Sequence, residues 1–143
     1  MKTASGPPGF ISRWLLGWVP FWGMSLAVFR GAVLSPKDIP PILLRLNDKL
    51  LHGTEYFLLF SLAANAFRKS LKGWLTSYPY TLAFTYCLLM GAATEIAQLN
   101  VPGRVPDIKD WVVDGLGAAL AWTVIFLTAG ACKFFERPSH ELL

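Results

Sequence analysis

Charge is what this 143-residue chain has little of: Asp, Glu, Lys and Arg together make up 15% of it, against roughly a quarter in soluble domains. Hydrophobic residues make up 54%, including six Trp and ten Phe, so the bilayer is the expected solvent. Cysteine and histidine are scarcer still, at two each. Cys87 and Cys132 stand in or at the end of apolar runs with no Cys-x-x-Cys or Cys/His spacing, which excludes a disulfide framework and a zinc-type site read from spacing. Both are expected as free, buried thiols. His52 and His140 are far apart and pair with neither cysteine, so no metal and no cofactor is assigned. The net charge of +4 does not argue for nucleic acid, because the Lys and Arg sit in short segments between long apolar runs, as loop charges do.

The length leaves room for one domain. An all-α membrane bundle of four transmembrane helices is expected, at about residues 14–34, 50–67, 74–100 and 107–131. Residues 1–10 and 134–143 read as mobile tails. For the first run a signal peptide competes, with Lys2 and Arg13 ahead of it and a small-x-small triplet at Ser25-Leu26-Ala27. Its length and its aromatics Trp14, Trp18, Phe21 and Trp22 favour an uncleaved anchor. Pro36, Pro40 and Pro41 mark a loop with a short amphipathic piece, Ile42, Leu43, Leu44 and Leu46 around Arg45, and Tyr78-Pro79 a frayed or tilted start to the third span. Pro102-Gly103 makes a tight connection before the fourth. Lys and Arg divide almost evenly between the two ends. The densest basic cluster, Arg68 to Lys72, lies on the side of the termini, which places the termini in the cytoplasm of a bacterial inner membrane.

The few charges are patterned. Asp48, His52 and Glu55 stand at i, i+4 and i+7 on one face of the second span; Asp107, Asp110 and Asp114 at i, i+3 and i+7 on one face of the fourth; Glu95 and Gln98 one turn apart at the end of the third. Alternating helices bring these three segments to the same membrane surface. At 1.5 Å per residue, His52 lies roughly 6 Å and Glu55 roughly 10 Å along from Asp48, and Asp114 roughly 10 Å from Asp107, so their depths agree. Acids facing lipid there would cost about 2.5–3.5 kcal/mol each, so they are expected to turn inward towards Lys49, His52 and Arg104. Asp48 doubles as the candidate cap of the second span.

The ordered set Asp48-Lys49-x-x-His52 with Tyr56, Glu95-x-x-Gln98, Pro102-Gly103-Arg104 and Asp110-x-x-x-Asp114-x-x-Gly117 resembles the signature of the VanZ-like family over about residues 48–121. The resemblance implies a small helical membrane protein of the bacterial cell envelope, related to one associated with teicoplanin resistance. It carries over onto Asp48, Lys49, His52, Glu95, Gln98, Arg104, Asp110 and Asp114. This chain departs from the family pattern with Gly53-Thr54, where bulkier apolar residues are common, and with Asp114, which is often Asn.

Three functions fit these residues. The first is an envelope enzyme or headgroup binder at the outer leaflet, with His52, Glu95 and Asp110 as acid/base candidates and Asp48, Lys49, Gln98, Arg104 and Asp114 as binding residues. Its partner would be a membrane lipid or cell-wall precursor headgroup. No nucleophile is identified, and were a divalent ion present, Glu95, Asp110 and Asp114 would be its candidates. The second is a structural or assembly subunit, in an oligomer or larger complex, whose charges only hold helices together. The third, a transporter, is disfavoured because the charges gather towards one face.

Overall fold

The computed structural model describes residues 10–39, 41–44, 47–70 and 72–135. They are helical, with no strand among them: α1 (Phe10–Val33), a 3-10 turn (Pro36–Asp38), α2 (Pro41–Leu44), α3 (Asp48–Arg68), α4 (Gly73–Ser77), α5 (Pro79–Gln98) and α6 (Ile108–Phe135). Of the expected tails at 1–10 and 134–143, Phe10 opens α1 and Phe134 and Phe135 end α6, while residues 1–9 and 136–143, His140 among them, and the side chain of Cys132 lie outside the described residues. Cys87 is free and buried.

Two helices, α5 over Pro79–Gln98 and α6 over Ile108–Ala129, are long and apolar enough to cross a membrane by length and composition. Among the described residues α1 and α3, expected as the first two spans, fall short of that measure; α3 carries Asp48, Lys49, His52 and Glu55 in its first turns.

The third expected span is broken. α4 ends at Ser77, Tyr78 takes φ −134 and ψ 50, and Pro79 opens α5 at its first turn. A proline disfavours helical geometry in the residue before it and is well placed at a helix start, so the chain stops and restarts here. A second correction concerns the start of α3. Its cap is Asn47, whose side chain accepts the Leu50 N–H at 3.2 Å; Asp48 is already inside the helix.

α3 and α5 form the middle of the bundle: α1 packs on both, and α6 packs on both. Side-chain contacts fix the directions. His52 meets Asp114 and Lys49 meets Asp110, so α3 and α6 run parallel. Tyr56 meets Thr94, Arg68 lies over Tyr80, and Asn65 donates to the Leu16 carbonyl, so α5 and α1 run antiparallel to α3. One end of the bundle is aromatic, with Phe21, Trp18, Phe67 and Tyr86 in one cluster and Phe60, Tyr80, Phe84 and Trp122 in another. The polar groups collect at the opposite end.

The closest approach is between α3 and α6. A methyl built on Gly117 would stand 3.0 Å from Gly53 Cα and 2.9 Å from its carbonyl carbon, closer than real methyls come. A methyl on Gly53 would meet only Val113 Cγ1, at 3.6 Å, an ordinary contact. The two glycines are therefore not equivalent. Gly117→Ala is expected to destabilise the protein by about 1–3 kcal/mol through overpacking, while Gly53→Ala is expected to be neutral or to stabilise by up to about 1 kcal/mol through helix propensity. Thermal unfolding of the two variants in detergent measures the contrast; equal losses would refute the asymmetry.

Candidate functional site

The polar end is built by the first turns of α3 and α6, the last turn of α5 and the loop between α5 and α6. In that loop the Arg104 N–H donates to the Val101 carbonyl at 3.1 Å, and Gly103 takes φ +82. Pro102 and Gly103 thus occupy the two central positions of a type II turn, the second of which requires a positive φ and favours glycine. The turn delivers Arg104 to the end of α1, where Nη2 donates to the Gly31 carbonyl at 3.1 Å and Nε to the Leu34 carbonyl at 3.3 Å. A helix leaves its last carbonyls without partners, and a cation suits that end of its dipole. Arg104 supplies both.

Asp107 stands just ahead of α6. Its Oδ1 accepts the Lys109 N–H at 2.9 Å, and that bond together with Lys49 holds its carboxyl below the usual range, against a smaller opposing push from desolvation. Its own N–H donates to Glu95 Oε2 at 2.9 Å, so Glu95 ties the end of α5 to the start of α6. The Lys49 ammonium bridges Asp107, at 3.3 Å, and Asp110.

Deeper along α3 and α6, His52 Nδ1 lies 2.9 Å from Asp114 Oδ1. Asp114 has a side chain only 1% exposed. Burying a carboxylate this thoroughly demands a partner, and a proton on His52 Nδ1 supplies it, leaving Nε2 as the free ring nitrogen. Gly91 on α5 makes the room: a methyl there would fall 3.0 Å from both Asp114 Oδ2 and Trp111 Cδ1. Trp111 in turn donates from Nε1 to the Leu88 carbonyl at 2.9 Å.

Beside this pair lies a cavity of about 200 Å³ between α1, α3 and α5. Its polar lining is Asp48, His52, Glu55, Tyr56, Thr94, Gln98 and Arg104, and Val28, Ala32 and Leu34 close it from the α1 side. Tyr56 and Gln98 are buried. The Tyr56 hydroxyl stands 3.4 Å from Thr94 Oγ1, which itself donates to the Gly91 carbonyl at 2.8 Å.

The structure thus gathers the sequence candidates into two adjoining groups. Asp48, His52, Gln98 and Arg104 line the cavity, together with Glu55; Lys49, Asp110, Asp114 and Glu95 lie along the α3–α6 and α5–α6 seams. His52 has Asp114 as its hydrogen-bond partner, and Glu95 has the Asp107 N–H. Thr94 and the end of α1 are additions. Thr94 could have been found from its place one turn before Gln98 on the same face, whereas the carbonyls that receive Arg104 carry no mark in a sequence.

An all-helical fold whose ionisable side chains meet inside one end of the bundle, with helices apolar enough to cross a lipid bilayer, defines a helical membrane-protein class. The sequence profile of the VanZ/LLP1 family matches residues 5–129, and the chain belongs to that family. No curated protein and no solved structure matches it.

The His52–Asp114 pair makes a direct stability test. Asp114→Ala removes one partner of a buried pair and is expected to cost about 3–5 kcal/mol. Asp114→Asn keeps an acceptor oxygen for His52 and is expected to cost about 1–2 kcal/mol. Denaturant unfolding in detergent separates the two, and an Asp114→Ala protein as stable as the parent would show that the pair contributes nothing.

Proposed function

We propose that this protein is a four-span bundle of the bacterial cytoplasmic membrane that holds the polar headgroup of an envelope lipid or cell-wall precursor in the cavity at its outer-facing end. The cavity itself carries the reading. It is small, lined by ionisable and hydrogen-bonding side chains, and set at the end of a bundle whose outside is greasy. Leu15, Leu16, Val19, Trp22 and Leu26 on α1, Leu50 and Leu58 on α3, Leu89 on α5, and Leu116, Leu120, Phe126 and Leu127 on α6 are all exposed. Apolar surface this extensive fits a lipid surround better than water. It supports membrane crossing by α1 and α3 as well as by α5 and α6, and the basic cluster from Arg68 to Lys72, on the side of the termini, supports a cytoplasmic position for both.

In this reading Arg104 turns its remaining guanidinium donors, and Tyr56, Thr94 and Gln98 their polar tips, towards the headgroup, while Asp114 holds Nδ1 of His52 and orients its ring. A protein that holds a wall precursor in this way would alter susceptibility to glycopeptides such as teicoplanin. One observation favours a structural role instead. Lys49 is engaged by Asp107 and Asp110, and Arg104 by the end of α1, so both cations already serve helix packing.

The two readings part on folded variants. Binding of phosphatidylglycerol and of a polyprenyl diphosphate to the purified protein is measured by native mass spectrometry, beside the melting temperature. The headgroup reading expects Gln98→Leu and Glu55→Gln to bind at least tenfold more weakly with melting temperatures near that of the parent. Unfolding of both variants, or undiminished binding, would favour the structural reading.

A further inference from the structure

Among the described residues, the carboxylates of the inner polar cluster outnumber the cations seen in contact with them. Asp48, Glu55, Glu95, Asp107, Asp110 and Asp114 face Lys49, Arg104 and His52, with Lys109 exposed at the rim. Lys49 is spent on Asp107 and Asp110, and Arg104 on α1. The fully buried Asp114 keeps Oδ2 without a hydrogen-bond partner among the described residues. A low-dielectric site with this excess of negative charge favours an added cation.

Within it, one donor atom each from Asp48, His52 and Asp110 lies within 4.8 Å of the others. We propose that these three side chains bind one divalent transition-metal ion of the zinc or manganese type. Tetrahedral bonds of about 2.0–2.2 Å from imidazole nitrogen and carboxylate oxygen place donors about 3.3–3.6 Å apart, so side chains at the outer limit of this spacing close by about an ångström on the ion. Mixed imidazole and carboxylate donors suit zinc and manganese, whereas calcium and magnesium prefer oxygen alone.

The surroundings complete the arrangement. Asp114 holds Nδ1 at 2.9 Å, as a carboxylate does when it orients a metal-binding histidine, and the proposal assigns the other nitrogen, Nε2, to the ion. Asp110 is held by Lys49 and can share its carboxylate between the ammonium and the metal. Asp48 and His52 also line the cavity, so the coordination positions that three protein ligands leave open face a space able to hold an anionic oxygen. The inference uses the cavity of the headgroup reading and does not depend on which ligand fills it. It replaces the metal-free expectation from the sequence and shares only Asp110 with the acids singled out there.

The test uses the full chain purified in detergent, stripped of metal, and dialysed against Zn²⁺ or Mn²⁺ with metal content measured by mass spectrometry. The expected result is one equivalent of metal per chain. Affinity should fall at least tenfold in His52→Ala and in Asp48→Asn and stay within twofold in His140→Ala. Asp48 is exposed, so Asp48→Asn keeps the question open to decision if His52→Ala fails to fold. With Mn²⁺, electron spin-echo modulation from a coupled ¹⁴N nucleus should be present in the parent and absent in His52→Ala. Substoichiometric binding, equal affinity in the parent and Asp48→Asn, or loss of binding in His140→Ala would each overturn the proposal. Phosphatidylglycerol binding measured with and without EDTA keeps the two readings apart. Lipid binding that persists in a metal-free protein unable to take up metal overturns the metal site alone, and stoichiometric metal without lipid binding supports the metal site and removes the headgroup reading.

Discussion

Where α3 and α6 touch through bare backbone, at Gly53 and Gly117, neither helix has a side chain to hold the other away, and the polar pairing one turn further along depends on that closeness. The imidazole of His52 spans to Asp114 at 2.9 Å and the ammonium of Lys49 reaches Asp110 only because the two axes run parallel and near at this level. A side chain at 117 would wedge the helices apart and leave two buried carboxylates short of their partners. Packing through small residues is the means by which helices associate in lipid, where burying apolar surface gains little. Gly115 differs in kind: a methyl there would meet only the flexible end of Leu88, at 3.2 Å.

The bundle divides its chemistry along its length. Towards one end the interior is ring against ring, and the few polar groups are neutral hydroxyls satisfied locally: Tyr86 donates to Ser25 Oγ, which donates to the Phe21 carbonyl. Towards the other end α1, α3, α5 and α6 each contribute something charged or something that receives charge. α1 is the least obvious contributor, since it offers main-chain oxygens to Arg104. The loop carrying Arg104 therefore does two jobs, closing the α5–α6 connection and fastening α1 to the rest.

The face-sharing of Asp48, His52 and Glu55, and of Asp107, Asp110 and Asp114, was legible from helical spacing alone, and alternation of the spans was enough to bring them to one level. Partner choice was not legible. Spacing places His52 near several acids, but the selection of Asp114 depends on the helix separation at Gly53 and Gly117 and on the room left by Gly91. Arg104 could not be assigned to α1 because its acceptors are carbonyls that every residue possesses. The Tyr78-Pro79 break was visible as a proline yet read as fraying; the restart of the helix on Pro79 is a tertiary outcome, set where α4 and α5 both pack on α3. The departure at Gly53-Thr54 from bulkier residues acquires a reason too, because a large side chain at 53 would press on Val113 across the α3–α6 seam.

The parallel course of α3 and α6 also has an electrical side. Both begin at the polar end, so the positive poles of two helix dipoles converge on the level where the carboxylates are densest, while α1 and α5 end there and bring negative poles. Arg104 answers the negative pole of α1 directly. Asp107, seated just ahead of α6, occupies the positive pole of that helix. At the start of α6 the backbone thus acts as a fixed counter-charge to Asp107, oriented by topology and indifferent to pH, while the negative poles of α1 and α5 make the neighbouring level one that favours cations.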